Sequence, residues 1–200
     1  MIRKLLIMLP LSFLMIVPSL AQEADSSVVI GKNRMVYKGR IYKQNAPYLS
    51  FGYGAGYGFE SQQVEQNMTI SYQHFIKGVG LRVGYHSSSD TKIWWRSWQK
   101  LNDLFIGVGH RWETNKFNLA AFAGPTYAYG TYIAWNEQRQ KDWAYPFNTL
   151  GGLAEVQLTY RIMYDLGVGL SLYGSVNRYY SATGAQIHLF FSTAFVSNYL

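Results

Sequence analysis

His86-Ser87-Ser88-Ser89-Asp90 gathers the residue types of a Ser-His-acid site, in which an imidazole takes the proton of an attacking hydroxyl. Adjacent residue types are not yet geometry, and the same string also reads as a polar loop start, since Ser and Asp favour turns. The run Gly52-Tyr-Gly-Ala-Gly-Tyr-Gly58 superficially resembles a phosphate cradle, but its glycines recur at every second residue and no helical pattern follows. With zero Cys, the chain excludes a disulfide framework and a Cys-ligated metal. No metal or cofactor is expected, and no motif points to nucleic acid.

A second chemistry lies in aromatics mixed with cations. Trp94, Trp95 and Trp98 occur with Lys92, Arg96 and Lys100, and Trp135, Trp143, Tyr145 and Phe147 occur with Arg139 and Lys141. Such mixtures bind glycans, lipopolysaccharide phosphates or partner proteins when exposed. Where the chain lies at a membrane boundary, they also serve as girdle residues packing loop on loop. A third group is purely basic: Lys32, Arg34, Lys38, Arg40 and Lys43 fall within twelve residues that contain no acid. They suit anionic headgroups or a partner, or else a solvated tether.

The elements that position these groups are strands. From Tyr48 onward apolar and small or polar residues alternate, a period that separates the two faces of a strand. The first segment sets Leu49, Phe51, Tyr53, Ala55, Tyr57 and Phe59 against Ser50 and four glycines. Seven more follow, at about 66–76, 79–86, 104–112, 117–130, 150–160, 166–173 and 184–195. Long connections are expected at 87–103 and from Thr131 to Thr149, and short turns at Lys77-Gly78, Glu113 to Lys116 and Arg161 to Asp165. The apolar faces carry no Asp, Glu, Lys or Arg, and their aromatics fall at two levels. Tyr57, Phe59, Tyr85, Tyr127 and Tyr129 lie near the long loops, and Trp112, Phe117, Tyr160 and Phe195 near the short turns.

An even number of strands, each near the ~9–11 residues of a tilted membrane-crossing strand, with two aromatic girdles, describes an all-β, eight-stranded antiparallel transmembrane barrel. A soluble barrel of lipocalin type also alternates but turns its apolar residues inward, and here the face rich in Gly, Ser, Thr, Gln and Asn suits the small lumen. From Tyr48 to its end the chain resembles the small eight-stranded outer-membrane barrels of the OmpA/OmpX-like class. The likeness is one of pattern over about three quarters of the chain, without a short motif. It implies bacterial outer-membrane localisation, short periplasmic turns and long extracellular loops. Some barrels of this size acylate or deacylate lipid A with His and Ser near the outer leaflet. His86 and Ser88 loosely resemble such a pair, but Ser89-Asp90-Thr91 stands where the deacylase motif would continue with Asn-Ala-Gly.

The alternation puts Arg82, Arg111 and Glu155 in the lumen as its full charges, with His86 and His188 on the same face, where they are expected to meet, Arg111 joining the Arg82 and Glu155 ion pair. Arg82 and Glu155 stand at similar heights on nearly opposite strands, which predicts a cross-lumen ion pair: a structural pair, or the gate of a narrow pore. Four glycines from Gly52 to Gly58 are expected to make room for Phe105, Phe122, Phe190 and Tyr173. Parity continues the outward faces through Trp94, Trp98, Ile133 and Trp135.

Ahead of the barrel, Arg3 and Lys4 precede an apolar stretch ending in Ser19-Leu20-Ala21, the pattern of a secretory signal. The expected organisation is a signal peptide at 1–21, a basic periplasmic arm at 22–47 and the barrel at 48–200. The expected function is non-enzymatic: a structural or adhesive envelope barrel, or an accessory subunit of an envelope complex. Its expected partners are outer-membrane lipid, lipopolysaccharide and another envelope protein.

Overall fold

The computed structural model describes residues 28–29, 34–43, 46–76, 79–90, 100–114 and 116–198. The proposed signal peptide, Lys32, and the loop residues Trp94, Trp95, Arg96 and Trp98 lie outside them.

Three short strands come first, β1 (Val28–Val29), β2 (Arg34–Tyr37) and β3 (Arg40–Lys43). Eight longer ones follow: β4 (Tyr48–Gly58), β5 (Gln63–Ile76), β6 (Val79–Ser89), β7 (Lys100–Glu113), β8 (Phe117–Asn136), β9 (Lys141–Met163), β10 (Leu166–Asn177) and β11 (Ser181–Ser192). A last strand, β12 (Phe195–Asn198), completes the set. Strands β4 to β11 close an antiparallel barrel, with β11 pairing β4 from Ala182↔Gly58 to Ser192↔Tyr48. The alternation is the cause: each of these strands has one face that water cannot stabilise and one that lipid cannot, and closure removes the unpaired edges.

The outer wall is apolar. Phe51, Ile70, Val83, Ile106, Leu158, Leu172 and Leu189 all lie exposed on it, as the alternation predicts. Such a belt far exceeds the roughly 300–600 Å² of the largest apolar patch on a typical soluble monomer. The inner face is filled, but the glycines of β4 serve fewer rings than expected. Of the four expected rings, Tyr173 is the one they accommodate: a Cβ on Gly56 would stand 2.5 Å from its hydroxyl oxygen. Phe105 needs Gly84 on β6, and Phe122 needs Gly80, where a Cβ would lie 2.6 Å and 2.9 Å from the respective rings. Phe105 gains its room from the strand paired with its own, while Phe122 and Tyr173 gain theirs from strands two places round the barrel.

Two connections differ from expectation. The stretch from Thr131 to Thr149 is no long loop: the β8–β9 register runs unbroken from Phe117↔Tyr160 to Asn136↔Lys141, leaving Glu137 to Gln140 as the turn. Nor is the described part of the basic arm a bare tether. β2 and β3 form a hairpin whose two-residue turn, Lys38 (φ 49) and Gly39 (φ 69), has both central residues in the left-handed region, the type I′ geometry that suits hairpin twist. The last predicted barrel strand also ends early, at Ser192, and Phe195 belongs to β12, which pairs with β3. The resulting sheet, β1-β2-β3-β12, caps the short-turn end. Tyr37 and Tyr42 on its inner face pack with Tyr164, Ala46 and Ala194 in a buried cluster, which converts a run too basic to look like a core into a lid.

Candidate functional site: a bridged lumen beneath an aromatic hairpin

Inside the barrel the expected ion pair forms. Arg82 on β6 reaches Glu155 on β9 at 2.5 Å, both fully removed from solvent. Arg82 Nε donates to Ser71 Oγ at 3.0 Å, and Gln157 Nε2 donates to Glu155 Oε1 at 2.8 Å. Gln73 Nε2 then donates to Gln157 Oε1 at 3.0 Å, so β5, β6 and β9 are tied across the cross-section. Phe105 and Phe122 lie 5.0 and 5.6 Å from the Arg82 guanidinium. Buried charge persists when it is paired and its remaining donors are used, and this pair meets most of that demand.

Arg111 stands apart from that pair. It meets Glu113 near the periplasmic mouth, and its guanidinium sits 4.0 Å from the Phe75 ring and 4.7 Å from that of Tyr48. Arg161 shares Glu113 at 3.1 Å, and Tyr164 donates its hydroxyl to the same carboxylate at 3.2 Å. Burial first, and then the Glu113 carboxylate, push the Tyr164 phenol up to about 12.

The lumen holds more charge than the three groups expected. Glu65, Asp103 and Arg161 are also buried. Glu65 accepts from Ser88 at 2.5 Å, from Ser61 at 2.8 Å and from Tyr180, while Asp103 accepts from Ser175 at 2.6 Å. Tyr180, in the turn between β10 and β11, is raised by burial and by its bond to Glu65. Each of the three residues lies just past a predicted strand end, so extending the parity of Asn67, Phe105 and Thr159 by two residues finds them.

His86 and Ser88 are bonded to other groups. The His86 ring is fully buried in the lumen, with Nδ1 2.8 Å from Thr69 Oγ1 and the ring centre 4.3 Å from that of Tyr173. Ser88 gives its proton to Glu65 instead. His188 is held in the same way, by Thr159 at 2.8 Å, and the second ring nitrogen of each histidine is buried without a hydrogen bond. Both histidines face away from the wall that a lipid acyl chain would touch.

Above the barrel, β8 and β9 rise as a ribbon. Ile133 and Trp135 continue the outer face, and Trp135 is 58% exposed. On the inner face Tyr132 stacks on Tyr145 (5.7 Å) and Tyr179 (5.5 Å), with Phe147 5.5 Å from Tyr179, over buried Leu101, Ala128 and Tyr180. Trp143 lies on the inner side, opposite to Trp135, with the Arg139 guanidinium 3.6 Å from its ring and Lys141 at 5.8 Å. Asn136 braces the tip, accepting from Arg139 N at 3.0 Å and donating to Tyr145 Oη at 2.7 Å. The ribbon is thus a preformed aromatic and cationic surface. Of the expected basic arm, Arg34, Lys38, Arg40 and Lys43 are all exposed on the cap.

No protein-family model and no curated protein matches this sequence. Solved structures match the fold. The Neisserial surface protein A is 10% identical, with 73% of this chain and 96% of that one covered and a TM-score of 0.58. Ail, the attachment invasion locus protein of Yersinia pestis, is 10% identical, with 76% and 99% covered and a TM-score of 0.51. At such identity the likeness speaks for the fold alone: the chain has the fold of the small eight-stranded outer-membrane β-barrels.

Proposed function

We propose that the protein works in a bacterial outer membrane as a non-enzymatic barrel, which presents the β8–β9 ribbon outside as a binding surface for adhesion or for a seat in an envelope complex. The observation that carries this reading is the ribbon itself. Trp135, Trp143 and Arg139 are held in place by a continuous strand register and a tyrosine stack, so ordering costs little on binding. The names of the two similar barrels, a surface protein and an attachment protein, agree with it. Lipopolysaccharide or another envelope protein fits the ribbon's chemistry.

A lumen bridged by Arg82, Glu155, Gln73 and Gln157 argues against a narrow pore, and the inward burial of His86 against lipid A chemistry. The mature protein is expected to fractionate with outer membranes and to migrate faster on gels unless boiled. A Trp135→Ala/Trp143→Ala double variant should insert equally well and lose at least tenfold in retention on its lipopolysaccharide or envelope-protein ligand, about 1.4 kcal/mol. Recovery as a soluble periplasmic protein would refute the membrane reading. Unchanged retention by the double variant would refute the ribbon.

A further inference from the structure

The cap at the short-turn end is basic where it meets the barrel rim. Among its described residues it carries Arg34, Lys38, Arg40 and Lys43 and no acid. Among the described residues the nearest acids are turned inward: Asp165 is half-buried beside Tyr42, and Glu113 is shared by Arg111 and Arg161. The register separates the four cations into two pairs. Arg34 pairs with Lys43 on the face directed away from the barrel, while Arg40 shares the barrel-facing side with Tyr37 and Tyr42, next to Lys38 in the turn.

Arg40 in turn lies at the edge of the apolar wall. Its Nη1 stands 3.9 Å from Met163 Sδ and its guanidinium 6.0 Å from the Phe195 ring. Met163, Phe195 and Val196 are all exposed, as is Ile162, and they form the lower margin of the lipid-facing surface. An exposed guanidinium lying against apolar rim residues has the placement of an interfacial anchor. A cation at that depth faces the headgroup layer.

We propose that Lys38 and Arg40 form a site for the phosphate of an anionic phospholipid headgroup in the inner leaflet, holding the cap against the membrane surface. The site rests on the membrane reading of the barrel and adds a ligand at the opposite end from the ribbon. Charge complementarity favours this occupant: exposed cations without a neighbouring outward acid attract anionic headgroups, and each cation near such a surface typically contributes enough to change occupancy about fivefold.

The test uses the full chain inserted in vesicles of phosphatidylcholine with one fifth phosphatidylglycerol, released for native mass spectrometry so that retained lipids are counted. The ratio of retained phosphatidylglycerol to phosphatidylcholine should exceed that of the vesicles about fivefold or more. Lys38→Gln/Arg40→Gln should bring the ratio back toward that composition, whereas Arg139→Gln/Lys141→Gln on the ribbon should leave it enriched. If the double cap variant proves less stable, Lys38→Gln alone, in an exposed turn, should still remove part of the enrichment. Inserted wild-type protein with no enrichment, or enrichment that survives the double cap variant, would overturn the proposal. Failure to insert at all would instead strike at the membrane reading.

Discussion

Strands β8 and β9 pass through two regions that follow opposite rules. Within the barrel their inward positions include polar Asn118, Thr126, Glu155, Gln157 and Thr159 beside Phe122 and Leu153, all buried, and their outward positions are apolar. Past Tyr129 the inward positions become Tyr132, Tyr145 and Phe147, and the outward ones keep Ile133 and Trp135. The difference follows the solvent. Where lipid surrounds the wall, polar groups must find partners inside, and each one left without a partner costs roughly 1–3 kcal/mol or more. Where water returns, polar groups need no such partner, and the ribbon is held by ring stacking over a small core. Sensitivity to substitution should therefore be high in the lumen and low in the ribbon, and binding should show the reverse.

The sharpest break is Glu155→Gln, which strands the buried Arg82 cation and should cost about 3–5 kcal/mol in urea unfolding of the refolded barrel. Arg82→Met combined with Glu155→Leu should recover much of that loss, because the pair's worth lies in mutual compensation. Two silent single variants would mean a wet lumen, and planar-bilayer conductance would then detect it.

A smaller effect is expected at the periplasmic mouth. Tyr164 holds its proton above the ordinary phenol value of 10.0, up to about 12, so the folded state binds that proton more tightly than the unfolded chain does. Its contribution to stability is whole below pH 10 and is lost as pH rises toward 12. Unfolding midpoints measured over that window should fall less steeply for Tyr164→Phe than for the parent. Equal slopes would place the phenol in contact with solvent.

The smallest effect belongs to the ribbon, where Trp135→Ala should lower the unfolding free energy by less than about 1 kcal/mol, since an exposed side chain away from caps and cores contributes little. A loss comparable to that of Glu155→Gln would show that the ribbon is part of the barrel's own core.

Much of the barrel was legible because lipid and lumen impose a strict alternation, and the Arg82–Glu155 pair followed from parity and strand count. The ribbon was not. With Tyr132, Tyr145 and Phe147 inward and Ile133 and Trp135 outward, both faces turn aromatic and the period that marks a strand vanishes. The cap escaped for another reason: β2 and β3 are four residues each and heavily cationic, and their core, Tyr37 and Tyr42, is completed only by Tyr164, Ala46 and Ala194 from distant parts of the chain. Arg111 was grouped with the wrong acid because parity assigns a face but gives height only coarsely.

The pairing of β3 with β12 has a consequence for the order of assembly. Arg40–Lys43 emerges before any barrel strand, yet its edge partner Phe195–Asn198 is made after all eight. β3 can pair with β2 as a local hairpin, but its other edge must wait for nearly the whole chain, and such high contact order places that pairing late among folding events. The barrel seam, β4 with β11, makes the same demand on the same side of the chain. A polypeptide that has joined β3 to β12 has already produced every strand needed for closure, so a finished lid marks a complete set of barrel strands.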